Sequence, residues 1–567
     1  MIARRRRTAV LVSLLLVLNG SVDTGARAQA IPSLGETIEV AIVNVDVVVT
    51  DKSGKRVHAL TRDDFEIYED GKVQPLSHFA EYRGESRSTA LSPEAAATLA
   101  EQSAEPPAGN QPSQRRTLII FIELFKLPNF RVDPFIDSIK DLVRNTIRSG
   151  DSVSLVTFEG SADMRVAATG DVALIERELD QIGLECKGPV RDKLTIPAST
   201  AEQVRAFEAE LAARAEAMGI AVAGPSETDI AIHAARIQAV EARVEMNRRV
   251  ATINTLLHGM AGIEGKKLLL LASHRLGEYV GAEYYYAAGI PDAVIPAVER
   301  NEIDNRQAIR TIIANANASG VTIYPVFPTG LDYTPADPSV PDVARSVLMN
   351  EMVTLREIAD KTGGVTTYGT TNTAKLMPDV AEDVNNYYSL AYRATARLDD
   401  SARKIVVKMK NPALHARARR EFVEKSNESR MRDRVLAALH DAPVDTSFEL
   451  EAELGSIRKV GRKTQTAPLK VRIPISGLTL LPQDGKHLGA FTVYAITGGT
   501  LGEVSEVTRR VQSFDVPASD LERALAGYFT YNFDVIVDER TRHIAVGVID
   551  EVSKTFGLIN VPVGSTQ

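Results

Sequence analysis

Unbroken apolar runs alternate with helical stripes through the middle of the chain, and period-two alternation takes over at both flanks. Thr117–Ile122 is a continuous β-branched and aromatic run, the pattern of a strand covered on both faces. Asp133-Pro134 then offers an N-cap with proline at the first helical position. Phe135, Ile139, Leu142, Val143 and Ile147 recur at three- and four-residue steps, so one face of that helix is apolar. Gly150 is the stop signal, and Val153–Phe158 is the next buried strand. Such a β-α-β unit predicts a parallel, doubly wound sheet whose ligands sit at the carboxyl ends of the strands. In this chain that position is the Glu123–Phe130 loop.

The alternation of strand and helix continues over residues 115–387, with an inserted segment at about 188–224. Helices are predicted at Asp171–Ile182, Ala201–Met218, Thr228–Leu257, Ile303–Ser319, Met352–Lys361 and Leu376–Tyr387, and strands at Leu268–Ala272 and Val321–Phe327. In the longest helix Ile230, Ala234, Ile237, Val240, Val244, Val250 and Ile253 form the expected apolar face. Ahead of this domain, residues 36–82 read as a small antiparallel β module punctuated by the turn signals Asp51–Gly54 and Asp70-Gly71. Residues 83–114, weakly apolar and rich in Ala, Ser, Pro, Glu and Gln, read as a linker. After the domain, 388–422 are strands, 424–442 a helical connector, and 447–563 a series of evenly spaced strands expected to form an immunoglobulin-like β-sandwich. Neither β segment bracketing the central domain has enough strands for its own core, so 36–82 is expected to pair with 388–422.

Composition narrows the function classes. The net charge of −8 over 567 residues is thinly spread, and no basic face argues for nucleic acid. Arg4–Arg7, the apolar Thr8–Leu18 and Ala26-Arg27-Ala28 read as a cleavable signal peptide over residues 1–28, which predicts a secreted or periplasmic protein. No other segment is long and apolar enough to span a bilayer. Cys186 is the single cysteine, so no intrachain disulfide forms.

Several blocks carry a resemblance. Val45–Phe79, the strand-helix-strand at Thr117–Phe158, LREIADKTGGVTTYG at Leu355–Gly369, NNYYSLAY at Asn385–Tyr392 and the run Arg403–Phe422 together resemble the bacterial von Willebrand factor type A-related proteins that bear a signal peptide. The resemblance implies a central, mostly parallel sheet with a metal-ion-dependent adhesion site at its top. There, Asp-x-Ser-x-Ser, a Thr and an Asp from three loops hold Mg²⁺ and leave a position for a partner's carboxylate. This chain departs from that pattern. Glu123 stands for the aspartate, Phe125 and Leu127 replace the hydroxyls, and the third loop offers Ser273, His274 and Arg275 with no carboxylate. Only Thr228 is left for the second-loop role, so the site reads as degenerate and no metal or cofactor is expected. Lys126 or Arg275 is a candidate for the missing positive charge against Glu123.

Other chemistry is sparse. Gly259–Lys267 has the wrong glycine spacing for a phosphate loop and precedes a strand, and no HExxH, CxxC or Gly-x-Ser-x-Gly pattern occurs. Ser273 beside His274 is the one spot where a hydrolytic dyad would fit. The functional expectation is a non-catalytic, metal-independent scaffold that binds another protein or an envelope component. Its candidate contact residues are Phe125, Lys126, Leu127, Tyr284, Tyr285 and Arg275. The alternatives are an extracytoplasmic hydrolase with an unrecognised site and a purely structural envelope protein.

Overall fold

The computed structural model describes residues 40–84, 115–124, 129–188, 198–218, 226–263, 265–274, 276–290, 295, 297–327, 342–366, 373–395, 399–439, 446–460, 465–499 and 504–563. The expected signal peptide, nearly all of the linker, and Phe125, Lys126, Leu127 and Arg275 lie outside them.

The described residues open with β1 (Val40–Thr50), β2 (Phe65–Glu69), β3 (Lys72–Gln74) and β4 (Leu76–Tyr82), and the central domain follows. In chain order this comprises β5 (Arg116–Glu123), α1 (Asn129–Thr146), β6 (Ser152–Phe158), β7 (Ala162–Thr169), α2 (Val172–Cys186), α3 (Ala198–Ala217) and α4 (Glu227–Ala261). It continues with β8 (Lys266–Ala272), α5 (Ala282–Ala287), α6 (Ala297–Glu302), α7 (Arg306–Ser319), β9 (Val321–Val326), α8 (Asp342–Thr362) and α9 (Thr373–Asn385). The five strands form one sheet in the order β7-β6-β5-β8-β9, with β6, β5, β8 and β9 parallel and β7 antiparallel on the edge. Strand β5 is buried along its whole length, and alternate side chains serve different cores. Ile119 and Phe121 pack with α4, α7 and α8, whereas Leu118, Ile120 and Ile122 pack with α1, α2 and α9. Helices therefore cover both faces.

Three sequence expectations need correction here. Helix α1 starts at Asn129 and contains Pro134, so Asp133-Pro134 is not its start. Strand β7 has no counterpart among the expected elements; its exposed, mixed residues suit a half-covered edge. On α4 the expected Ile230, Ala234, Val250 and Ile253 are buried, but between them the core side is made by the small Ala235, Ala239 and Ala242 with Met246, while Ile237, Val240 and Val244 are 41%, 42% and 45% exposed. The helix meets its neighbours closely there, and small side chains permit the approach: a Cβ at Gly281 would lie 2.9 Å from that of Ala239.

The remaining strands are β10 (Tyr387–Thr395), β11 (Ala402–Met409), β12 (His415–Arg417) and β13 (Glu421–Val423). They interleave with the first four in two antiparallel sheets, β12-β1-β10-β4 and β13-β11-β2-β3, around Val45, Val47, Ile67, Leu390, Tyr392 and Ile405. The two ends of the central domain thus share one core. Helix α10 (Asn427–Leu439) follows, buried on one side against the C-terminal strands through Met431, Val435 and Leu439. The C-terminal strands are β14 (Glu451–Leu454), β15 (Arg458–Lys459), β16 (Gln465–Pro474), β17 (Leu481–Gln483), β18 (Lys486–Gly499), β19 (Thr508–Pro517), β20 (Tyr528–Val537), β21 (Thr541–Asp550) and β22 (Phe556–Pro562). They make two antiparallel sheets, one of β14, β15, β16 and β20 and the other of β17, β18, β19, β21 and β22, which meet across an apolar core that includes Leu469, Val471, Phe491 and Val546. No described helix is long and apolar enough to cross a membrane.

Candidate functional site at the carboxyl ends of the strands

Glu123 is the last residue of β5, and Ser273 and His274 follow the end of the adjacent β8. Parallel pairing brings them level, because Ile122 is opposite Ala272. Helix α4 then presents Arg249 to the same point. The guanidinium donates from Nη2 to Glu123 Oε1 at 2.5 Å and from Nε to Oε2 at 3.1 Å. Ser273 Oγ donates to Oε2 at 2.8 Å, the His274 backbone N–H donates to Oε2 at 3.1 Å, and His274 Nδ1 lies 3.2 Å from it. Glu123 and Arg249 are 2% and 1% exposed. Burial pushes the Glu123 carboxyl up, but His274 and Arg249 outweigh it and hold the group well below the usual carboxylate range. Arg249 also has the Phe158 ring 5.7 Å from its guanidinium carbon and Glu245 at 3.5 Å, one turn back on α4.

This geometry does not fit a divalent cation. Both carboxylate oxygens already accept from the protein, and a guanidinium occupies the position where positive charge is needed. Among the described residues no group of three or more His, Cys, Asp or Glu is arranged to hold a metal ion. Thr228 does not take the second-loop role. It is exposed at the start of α4, roughly 30 Å along the helix axis from Arg249 at 1.5 Å rise per residue. A Ser273–His274 dyad is also not formed, since Ser273 is fully buried and its hydroxyl proton is directed to Glu123.

The counter-charge to Glu123 is therefore Arg249, which is not among the residues expected from the sequence. A signal was present: Met246, Arg249, Val250, Ile253, Leu257 and Met260 recur at core-facing steps, so Arg249 is a cation on an apolar stripe. The tyrosines require a correction as well. Expected as contact residues, Tyr284 and Tyr285 are on α5 and are 4% and 1% exposed within the core shared with α4 and α8. They are structural residues and offer no surface to a partner.

No family model matches the chain, and no curated protein matches it. Solved structures with some likeness include an aerotolerance-related membrane protein from Bacteroides fragilis, at 13% identity and TM-score 0.22, covering 48% of this chain and 98% of that one. A mutant of the PilB minor pilin from Streptococcus sanguinis, at 13% identity and TM-score 0.22, covers 49% of this chain and 62% of its own. The pilus adhesin SpaC from Lactobacillus rhamnosus GG, at 8% identity and TM-score 0.24, covers 88% and 60%. Likeness at these scores carries no argument about function.

Proposed function

We propose that this protein is an extracytoplasmic, non-catalytic binding scaffold built on a von Willebrand A-like domain, with an internal ion pair in place of the adhesion-site metal. The flanking module and an immunoglobulin-like C-terminal sandwich present that domain, and the partner is another protein or an envelope component. The observation that carries the reading is Arg249 on Glu123, which satisfies the carboxylate from within. A protein without the cation must hold its partner by other contacts. The exposed Ile237, Val240 and Val244 on α4, at three- and four-residue steps, supply an apolar stripe of the kind that marks protein contacts. The signal-peptide pattern supports placement outside the cytoplasm.

Calorimetric titration with Mg²⁺ and Mn²⁺, together with crosslinked capture of a partner from the native envelope, tests this. The expected results are no saturable metal binding, and a partner that is retained in chelator but lost when Val240 and Val244 are changed to Asp. Saturable metal binding abolished by Glu123→Gln would overturn the reading.

A further inference from the structure

On one side the C-terminal sandwich is a strand short. Across its core β14 lies beside β22 and β20 beside β18, so the sheet of β14, β16 and β20 faces β22, β21 and β18. Beyond β18 the second sheet continues with β19, which pairs with β18 alone, and among the described residues no strand is set opposite it. Strand β20 pairs with β16 alone, so its other side is a free edge next to that place.

The main chain of that edge is unused. In β16, Pro468 and Pro474 stand opposite Asp534 and Tyr528, and the Pro468 carbonyl accepts from the Gly455 N–H on the β14 side. Asp534 and Tyr528 therefore turn their N–H and C=O away from β16, whereas the Gly527 carbonyl accepts from the Ile475 N–H across the pair. By alternation Tyr528, Thr530, Asn532, Asp534 and Ile536 present donors and acceptors along the open side. None of these main-chain groups has a hydrogen-bond partner among the described residues. The usual devices against edge pairing are missing. Strand β20 has no Pro, Lys or bulge, keeps one register with β16 over its 10 residues, and carries a single charge, Asp534.

The floor beside this edge has its own chemistry. Arg510, Gln512 and Phe514 of β19 stand opposite Val493, Phe491 and Gly489, and Phe491 and Val493 belong to the core between the sheets. Cross-strand neighbours share a face, so these β19 side chains point inward. Arg509 is on the other face and reaches Glu428 of α10 at 3.6 Å. Phe514 packs on Phe529 with ring centres 5.0 Å apart, yet Phe514, Phe529, Tyr531 and Phe533 all stay half-buried although they face the core. Arg510 is exposed and has no carboxylate within ion-pair distance among the described residues. An arginine aimed across the sandwich suits a strand that brings an acid to it.

We propose that this slot takes up an extended, acidic segment of another polypeptide as an added strand on β20. Its main chain completes the ladder along Tyr528–Ile536, its alternate apolar side chains rest on Phe514 and the β20 aromatics, and an Asp or Glu in the same inward row meets Arg510. A second copy of this chain does not fit. Two-fold pairing of β20 with β20 would bring the copy's overhanging β19 into the space that β18 fills. The slot is on the C-terminal sheets, apart from Glu123 and from the α4 stripe, and does not depend on the function proposed above.

The test is selection of phage-displayed random dodecapeptides on the full chain, with the enriched peptides then made as labelled probes for fluorescence anisotropy. Enriched peptides are expected to alternate apolar and polar residues, to lack proline, and to carry Asp or Glu in the apolar row. Asn532→Pro deletes an N–H of the open side and leaves the ladder with β16 intact, so Tm should hold while binding weakens about tenfold or more. Arg510→Glu, at an exposed position, should turn the selected charge from acidic to basic, which keeps the idea testable if the proline variant does not fold. No alternating enrichment, equal binding by a folded Asn532→Pro, or acidic peptides still selected by Arg510→Glu would overturn the proposal. Sedimentation velocity would overturn it too if the chain dimerises and Asn532→Pro abolishes the dimer, because the edge then serves a second copy.

Discussion

Glu123 and Arg249 form a buried pair whose members are far more costly apart than together. Removing one partner of such a pair leaves an uncompensated charge, typically about 3–5 kcal/mol of lost stability. Glu123→Gln is therefore expected to destabilise by that amount in chemical denaturation. The double variant Glu123→Gln/Arg249→Met should recover much of the loss, because both charges are then gone. The pair also has a pH signature. The Glu123 carboxyl is held well below its ordinary value near 4.5, so its contribution is fully present above that pH and is lost as pH falls through the lower folded-state value. Wild-type stability should fall more steeply below pH 4.5 than that of the double variant. Equal slopes would show that the pair contributes nothing to acid sensitivity. The negative charge of Glu123 at a strand end was legible in the sequence. Its partner was not, because Arg249 is remote in the chain and only the docking of α4 on the sheet brings it within 3.1 Å.

Among the elements, the stop after α8 is the most constrained. Gly363 has a φ of +87°, and a Cβ on Gly364 would lie 1.9 Å from the Ile323 carbonyl oxygen of β9. That atom belongs to the sheet and cannot yield, so Gly364→Ala is expected to cost about 3 kcal/mol or more, the upper range for overpacking. A thermal unfolding curve checks this, and a near-neutral result would mean that β9 and the end of α8 can separate. The carbonyl that Gly364 accommodates could not be read from the sequence. Helix α4 was legible in part. Its existence and approximate length follow from periodicity, yet Ile237, Val240 and Val244 face outward. Ile230, Ala234, Val250 and Ile253 of the expected stripe are buried; the stripe fails only in its middle, where the close approach of the turn before α5 selects alanine over larger side chains.

At the scale of the molecule, Asp383 ties the flanking module to the central domain. It is fully buried on α9 and is reached at 2.5 Å by Arg56, beyond β1, and at 2.5 Å by Arg417, on β12. Asp383→Asn removes the carboxylate from Arg417 and leaves Arg56 only the exposed Glu382 at 3.9 Å, so a loss of about 3–5 kcal/mol is expected. Hydrogen exchange should rise first in β1 and β12, and uniform exchange across the chain would show that the module is held by its apolar core alone. The sequence by itself determined most of the alternation of strands and helices in the central domain and the buried character of β5, since each rests on residue type and local spacing; edge strand β7 escaped it. Which charges meet was decided only by tertiary structure: Arg249 on Glu123, and Arg56 and Arg417 on Asp383. These pairings join positions far apart in the chain, and no local periodicity encodes the distance between them.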